Sequence, residues 1–303
     1  MPDLAIPDGL RATAVRWEGD HARAWLEELP SIVAAVTAEW DLELGPPFEP
    51  GGNISWVAPC RRRDDPGRLV LKVQLPSPES HPEAMALAAW GGRGAVRLHA
   101  HDAARCALLL ERCDPGGSLH TAPDVEAAFD AAVAIAAHLH VQPPPGMRAV
   151  AEHADGWAAL LEGRGRPDGL DPALWRLALD TIRQQARPDR RLTLVHGDLN
   201  PTNVLSSERG WLAIDPKPLV ADPAWDVARL VMQLGVPDGR DAGEVVLGRL
   251  TRAAEALGLP RAAVALGTFV DTVSMASYAL AVGDAAAARG QVESALRAVP
   301  ALD

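Results

Sequence analysis

Leu194-Val195-His196-Gly197-Asp198-Leu199-Asn200-Pro201-Thr202-Asn203-Val204-Leu205 is followed, after the turn residues Glu208-Arg209-Gly210, by Trp211-Leu212-Ala213-Ile214-Asp215-Pro216. Two short apolar runs flank a polar loop, and a third run ends in an acid. The pattern predicts a strand, a loop and a tight hairpin. Phosphoryl transfer from ATP asks for residues of these types in this order. One carboxylate meets the acceptor hydroxyl, while an amide oxygen and a second carboxylate hold Mg2+ on the phosphates. Asp198, Asn203 and Asp215 are the candidates for those three places.

The upstream chain offers the remaining parts. Pro46-Pro47-Phe48-Glu49-Pro50-Gly51-Gly52-Asn53-Ile54-Ser55-Trp56-Val57 reads as a glycine turn between two strands. Such a turn can cover phosphates with backbone N–H groups, because glycine allows close approach. Gly51, Gly52, Asn53 and Ser55 are its candidate contacts, although the turn taken alone also fits an ordinary hairpin. Leu69-Val70-Leu71-Lys72-Val73-Gln74-Leu75 reads as a strand with one lysine inside an apolar run. The functional reading of Lys72 is a lysine that grips the α- and β-phosphates and needs a carboxylate from the next helix to hold it. Pro82-Glu83-Ala84-Met85-Ala86-Leu87-Ala88-Ala89-Trp90 supplies that helix, with Glu83 in its first turn and Glu79 as a competing acid. Glu83 also suits a helix N-terminus on dipole grounds alone.

Composition narrows the class. The 303 residues suffice for two lobes with real cores. At 48% apolar residues with periodic segments, the chain reads as globular. Formal charge is −11 and no basic run exceeds Arg61-Arg62-Arg63, which argues against a nucleic-acid partner and is compatible with a cationic small substrate. Three scattered cysteines (Cys60, Cys106, Cys113) suggest no disulfide framework, so a reducing cytoplasm is the expected compartment. Met1-Pro2-Asp3-Leu4 begins no signal peptide, and no run of about 18 uncharged apolar residues predicts a membrane span. Only two of the 29 basic residues are lysines, Lys72 and Lys217. Where arginine is the habitual cation, a lysine marks a place that wants a compact ammonium.

In chain order, residues 20–40 predict a helix carrying Trp25, Leu26, Leu29, Ile32, Val33, Val36 and Trp40, kinked or split at Pro30. Val96-Arg97-Leu98 and Ala107-Leu108-Leu109-Leu110-Glu111 predict two more strands, completing a five-stranded N-terminal lobe over residues 1–113. A hinge is expected at Glu111 to Gly117, with backbone near Glu111 and Cys113 meeting the adenine. The C-terminal lobe, 114–303, should hold helices at Asp124 to His140, from Asp171-Pro172 to before Pro188, from Asp222-Pro223 through Leu234, and near 241–257, 260–282 and 284–298.

Glycine loop, strand lysine, helix glutamate, hinge, Asp-x-x-x-x-Asn and a later Asp stand in the order used by protein kinases. By that likeness Asp198 orients the acceptor hydroxyl and takes its proton, Asn203 and Asp215 hold Mg2+, and Lys72 paired with Glu83 orients the phosphates. The departures narrow the type. Gly197 follows His196 where a protein kinase has arginine, and Pro216 follows Asp215, so no Asp-Phe-Gly switch exists. Asp215 lies seven residues before the next cap, Asp222, which leaves no room for an activation segment or a peptide platform. The acceptor should be small.

His196-Gly-Asp-Leu-Asn-Pro-Thr-Asn203 resembles the catalytic loop of the aminoglycoside phosphotransferases. Trp211-Leu-Ala-Ile-Asp-Pro-Lys-Pro218 with Asp222-Pro-Ala-Trp-Asp226 resembles in particular the streptomycin 6-phosphotransferase branch, the aminoglycoside/hydroxyurea antibiotic-resistance kinases. Trp25-Leu26, Leu29-Pro30, Glu83 with Ala88-Ala89-Trp90, and Leu109-Leu110-Glu111-Arg112 extend the likeness over most of the chain. The resemblance implies an α+β, bilobal protein-kinase-like fold, with a small N-terminal β-sheet lobe and a larger, mainly helical C-terminal lobe. It implies ATP and Mg2+ as cofactors and a hydroxyl of a small antibiotic as acceptor, streptomycin first. A kinase of hydroxyurea or another metabolite, and a silent nucleotide-binding protein, are the alternatives. Monomer and dimer both stay open.

Other residues have plainer readings. The resemblance makes Asp226 a structural acid that receives N–H groups from the catalytic loop, and Asp222 is a helix cap. His196 organises the loop rather than acting as base, because Asp198 already fills that role. Lys217 either neutralises phosphate charge or pairs with Asp222. His99, His101, Cys106 and Cys113 match no closed zinc spacing, and no Gly-x-Ser-x-Gly elbow or Gly-Lys-Ser/Thr phosphate loop is present. Asp271, Asp284 and Glu293 are acids on C-terminal helices for which the sequence suggests no position.

Overall fold

The computed structural model describes residues 4–78, 80–185 and 192–302; Glu79 and Pro188, named above, lie outside the described residues. The chain divides into two compact units, Met1–Gly92 with Val96–Asp114, and Arg93–Ala95 with Pro115–Asp303.

The first unit is a helix and an antiparallel sheet around one core. Helix α1 (Asp8–Glu39) precedes β1 (Leu42–Leu44), β2 (Ser55–Arg62) and β3 (Asp65–Gln74), then α2 (Ser80–Trp90), β4 (Leu98–Asp102) and β5 (Ala107–Glu111). The strands order as β1-β2-β3-β5-β4, which places β3 in the middle with Lys72 opposite Val57 and Leu108. Helix α1 buries Leu10, Ala14, Trp25, Leu26, Leu29, Val33 and Val36, the helical repeat expected of one apolar stripe. This stripe packs on Trp56, Leu71, Val73 and Leu109 of the sheet. Three expectations change, the first being that the helix expected from residue 20 begins at Asp8. The helix runs through Pro30 and departs from helical angles at Gly19 (φ 55°) instead. Leu29 and Val33 bury both sides of the proline, and that packing outweighs its missing N–H. The strand expected at 96–98 lies at Leu98–Asp102, one turn of chain later.

The second unit is mostly helix: α3 (Val125–Leu139), α4 (Ala154–Arg164), α5 (Pro172–Gln184), α6 (Ala228–Gln233), α7 (Ala242–Leu257), α8 (Arg261–Ala281) and α9 (Ala285–Leu296). Two strand pairs lie between α5 and α6. Strand β6 (Thr193–Val195) pairs with β9 (Leu219–Ala221), and β7 (Val204–Ser207) forms a hairpin with β8 (Gly210–Ala213). Asp124, Asp171, Asp241 and Asp284 cap α3, α5, α7 and α9 through their carboxylates, as helix N-termini demand. Helix α4, between Pro143-Pro144-Pro145 and Asp171, is absent from the sequence expectation; only Ala154, Ala158 and Leu161 of it are buried, too small a stripe to read. The helix expected from Asp222 through Leu234 is two pieces, a 3-10 turn at Pro223–Trp225 capped by Asp222, then α6. Arg93–Ala95 belongs to this unit because Ala213 N–H donates to the Gly94 carbonyl (2.8 Å).

Helix α8 is long and apolar enough, by length and composition, to cross a membrane, although it carries Asp271. In this structure it is a core helix: Val264, Phe269, Val270, Val273 and Ala276 are buried. Gly267 lets it touch the 3-10 turn, since a Cβ there would meet the Ala224 carbonyl at 2.9 Å and Trp225 at 3.1 Å. Gly267→Ala should therefore cost about 1–3 kcal/mol. The check is a lower urea midpoint at unchanged m-value, and an unaltered midpoint would show that the turn can yield.

Candidate active site

One cluster lies in the first unit. Lys72 faces inward from β3 at 5% exposure, and Nζ donates to both carboxylate oxygens of Glu83 at 2.8 and 2.7 Å. Glu83 sits in the first turn of α2, itself 1% exposed. Gln74, two residues along the strand and so on the same face, donates Nε2 to Glu83 at 2.7 Å. The ion pair thus carries an additional hydrogen bond, as a desolvated pair requires. Gln74 was absent from the sequence expectation, yet its i+2 spacing from Lys72 was the available signal.

The glycine turn is fastened to the start of α1. Gly51 has φ +88°, and a Cβ there would strike Pro7; a Cβ on Gly52 would strike the Ser55 carbonyl. Asn53 is exposed and Ser55 buried. Glu111 accepts the Arg97 backbone N–H at 3.0 Å, and Cys113 is buried.

The second cluster is built on Asp226 at the end of the 3-10 turn. Its carboxylate accepts the N–H groups of His196 and Gly197, each at 2.9 Å, and contacts His140 Nε2 at 3.2 Å. Burial would raise this carboxyl; the hydrogen bonds and charge of His140 and the His196 N–H overcome it and hold Asp226 below its usual value. His196 is fully buried, and burial pushes its imidazole below its ordinary value against the pull of Asp226. Neutral His196 fits its contacts: Nε2 reaches the Ile214 carbonyl at 3.0 Å, while Nδ1 accepts the Asp198 N–H at 3.3 Å. Gly197 has φ +75°, and a Cβ there would collide with the Lys217 carbonyl. This close approach lets the Lys217 N–H donate to the His196 carbonyl at 2.9 Å.

The loop then presents Asp198. Asn200 donates Nδ2 to Oδ1 at 3.1 Å, and Asn203 donates Nδ2 to Oδ2 at 3.3 Å and to the Asp198 carbonyl at 3.0 Å. Asn200 also caps the 3-10 turn at Pro201–Asn203 by accepting from the N–H groups of Thr202 and Asn203. The Ile214 N–H donates to the Asn203 carbonyl at 2.9 Å, which ties the segment after β8, where Asp215 lies, to the loop. Asp215 is exposed and holds φ +54°, a left-handed conformation that Asp adopts more readily than most residues and that concentrates at functional sites. Lys217 is exposed, and Asp222 accepts the Ala224 N–H.

Two further groups reach Asp198. Arg229 on α6 forms an ion pair through Nη1 with Asp198 Oδ1, and its Nε faces Asp271 Oδ1 of α8 at 3.4 Å. Burial raises the Asp271 carboxyl, with Arg229 opposing. Arg229 was missed because arginine is common in this chain. Asp284 and Glu293 lie apart from this cluster: Asp284 caps α9, and Glu293 stands within that helix.

The donor set suits a hard cation. Asn203 spends its amide N–H groups on Asp198, which leaves Oδ1 without a hydrogen bond among the described residues. Among the described residues no group of three His, Cys, Asp or Glu side chains gathers as a metal site. Mg2+ bound by one carboxylate, one amide oxygen and phosphates needs no such group.

Solved structures share this architecture. Choline kinase LicA from Streptococcus pneumoniae superposes with a TM-score of 0.60, covering 90% of this chain and 99% of its own at 14% identity. Streptomycin 6-kinase from Streptomyces glaucescens is 35% identical over 293 residues, 93% of each chain. Hydroxyurea phosphotransferase from Kitasatospora aureofaciens is 37% identical over 252 residues, 80% of this chain and 71% of that one. The family model described as aminoglycoside/hydroxyurea antibiotic resistance kinase matches residues 49–283. With its protein-kinase-like fold, this small-molecule kinase belongs to the aminoglycoside/hydroxyurea antibiotic resistance kinase family.

Proposed function

We propose that this chain is an ATP- and Mg2+-dependent O-phosphotransferase that modifies a hydroxyl of a small antibiotic, with streptomycin as its acceptor. The observation that carries the reading is the held carboxylate of Asp198, with the Asn203 amide turned so that its oxygen is left over. The match to streptomycin 6-kinase over 93% of the chain supports the acceptor. In this reading Asp198 Oδ2 accepts the hydroxyl hydrogen, aims the oxygen at the γ-phosphorus and takes the proton as the new O–P bond forms and the bond from the γ-phosphorus to the β,γ-bridging oxygen breaks, with ADP as the leaving group. Lys72, fixed by Glu83, binds the α- and β-phosphates, and the turn of Gly51, Gly52, Asn53 and Ser55 covers them. The backbone near Glu111 and Cys113 takes the adenine. Asn203 and Asp215 would hold Mg2+, which would supply charge neutralisation on the phosphates.

Hydroxyurea is the second reading. Its phosphotransferase matches 80% of the chain, and the positive charge of Arg229 beside Asp198 suits a neutral acceptor.

Asp198→Ala should lower turnover by at least about 10²-fold while nucleotide affinity is kept; undiminished phosphorylation of streptomycin and hydroxyurea by this variant would sink the assignment. Glu83→Gln leaves the Lys72 ammonium buried without its counter-charge, and stability should fall by about 3–5 kcal/mol. The double variant Lys72→Met, Glu83→Met should recover most of that loss without recovering nucleotide affinity. Urea denaturation and nucleotide titration read the two effects separately, and full affinity in the double variant would remove Lys72 from the nucleotide site.

A further inference from the structure

The nearest charged neighbour of Asp198 is one that no part of the phosphate chemistry calls for. Arg229 comes from α6, 31 residues away in sequence, and its other carboxylate contact, Asp271, is a further 42 residues on. All three side chains belong to the second unit. Their contacts divide the two oxygens of Asp198. Oδ1 takes Arg229 and Asn200, whereas among the described residues Oδ2 takes only the 3.3 Å contact from Asn203. Oδ2 is thus the oxygen with capacity for an acceptor hydroxyl, and Arg229 holds the carboxylate in that sense.

Arg249 shows how this fold uses a purely structural arginine. It is 1% exposed and donates to the carbonyls of Val231, Leu234 and Gly235 as well as to Glu126. Arg229 differs in each respect. Its side chain is 30% exposed, it binds no backbone carbonyl among the described residues, and both of its partners are carboxylates beside the reacting position. A planar guanidinium spanning two carboxylates fixes the angle of each. It also leaves one net negative charge where two carboxylates alone would present two.

We propose that Arg229 is the positioning residue for Asp198 and, by the same contact, sets the charge that the enzyme accepts beside the reacting hydroxyl. Asp271 holds Arg229 from the other side and keeps it aimed at Oδ1. A neutral group next to the acceptor hydroxyl is unaffected by the guanidinium that stands beside Asp198. A guanidinium or ammonium there meets the like charge of Arg229, which costs affinity. The inference rests on the reading of Asp198 as the residue that meets the acceptor.

The test compares Arg229→Met, which keeps the stem and removes the charge, with Arg229→Lys, which keeps the charge and removes the fork. Hydroxyurea serves as the neutral acceptor and streptomycin, with its guanidinium groups, as the cationic one. For each variant, kcat and KM are measured at saturating ATP and Mg2+, and acceptor binding is measured by calorimetry. In Arg229→Met the ratio of kcat/KM for streptomycin to that for hydroxyurea should rise about tenfold, while kcat for hydroxyurea falls. Arg229→Lys should keep the wild-type ratio and lose kcat with KM unchanged. A ratio unmoved in Arg229→Met, or full kcat in Arg229→Lys, overturns the proposal. If the wild type phosphorylates neither acceptor, the assignment of function fails instead. The ratio of the two dissociation constants, shifted toward streptomycin in Arg229→Met or unshifted, then decides the charge selectivity by itself. If Arg229→Met does not fold, the kcat of Arg229→Lys decides.

Discussion

The Asp226 carboxylate is the constraint on which the second unit's chemistry depends. It gathers two consecutive N–H groups of the loop that carries Asp198 and the histidine that follows α3, all largely out of water. Hydrogen bonds to a charged group are worth about 1.5–3 kcal/mol each, and more is lost when a buried charge is left without them. Once His196 and Gly197 are fixed, the loop has one course. Gly197 takes its left-handed turn against Lys217, Asn200 closes the next turn, and both oxygens of Asp198 are supported. The segment after β8, which carries Asp215, is stitched to the same loop at Ile214 and Lys217. The position of Asp226 depends in turn on the turn at Pro223–Trp225, against which α8 can pack only because residue 267 has no side chain.

The first unit meets a similar problem with opposite signs. A lysine in the middle strand of a sheet would be costly to bury alone. Glu83 offsets its charge and Gln74 supplies a further hydrogen bond, so the pair can be buried. The resulting ammonium is held by contacts that do not involve a nucleotide, which is the preorganisation that phosphate binding benefits from.

Much of this was legible because it is local. Asp198, Asn203 and Asp215 fall within 18 residues, and their order reads directly from the chain. Lys72 was visible as a rare residue type inside an apolar strand, and Glu83 as an acid in the first turn of the next helix. The caps at Asp124, Asp171 and Asp222 were equally direct. What escaped had a physical reason. Arg229 and Asp271 join Asp198 only through tertiary packing, and an arginine among so many carries no signal. The fold keeps Pro30 inside a helix because packing on both sides compensates it, whereas Gly19, with no such support, releases the backbone. Strand β4 was displaced because its residues alternate weakly: Leu98, Ala100 and Asp102 are only partly buried and His99 and His101 are exposed.

The scarcity of lysine has a practical side. Of the two ammonium side chains, Lys72 is enclosed by its carboxylate partner while Lys217 stands in solvent two residues past Asp215. Amine-directed acylating reagents therefore find a single accessible lysine side chain, and it lies on the segment stitched to the loop that carries Asp198. A dye or spin label placed there by ordinary amine chemistry would report on that segment without any engineered cysteine.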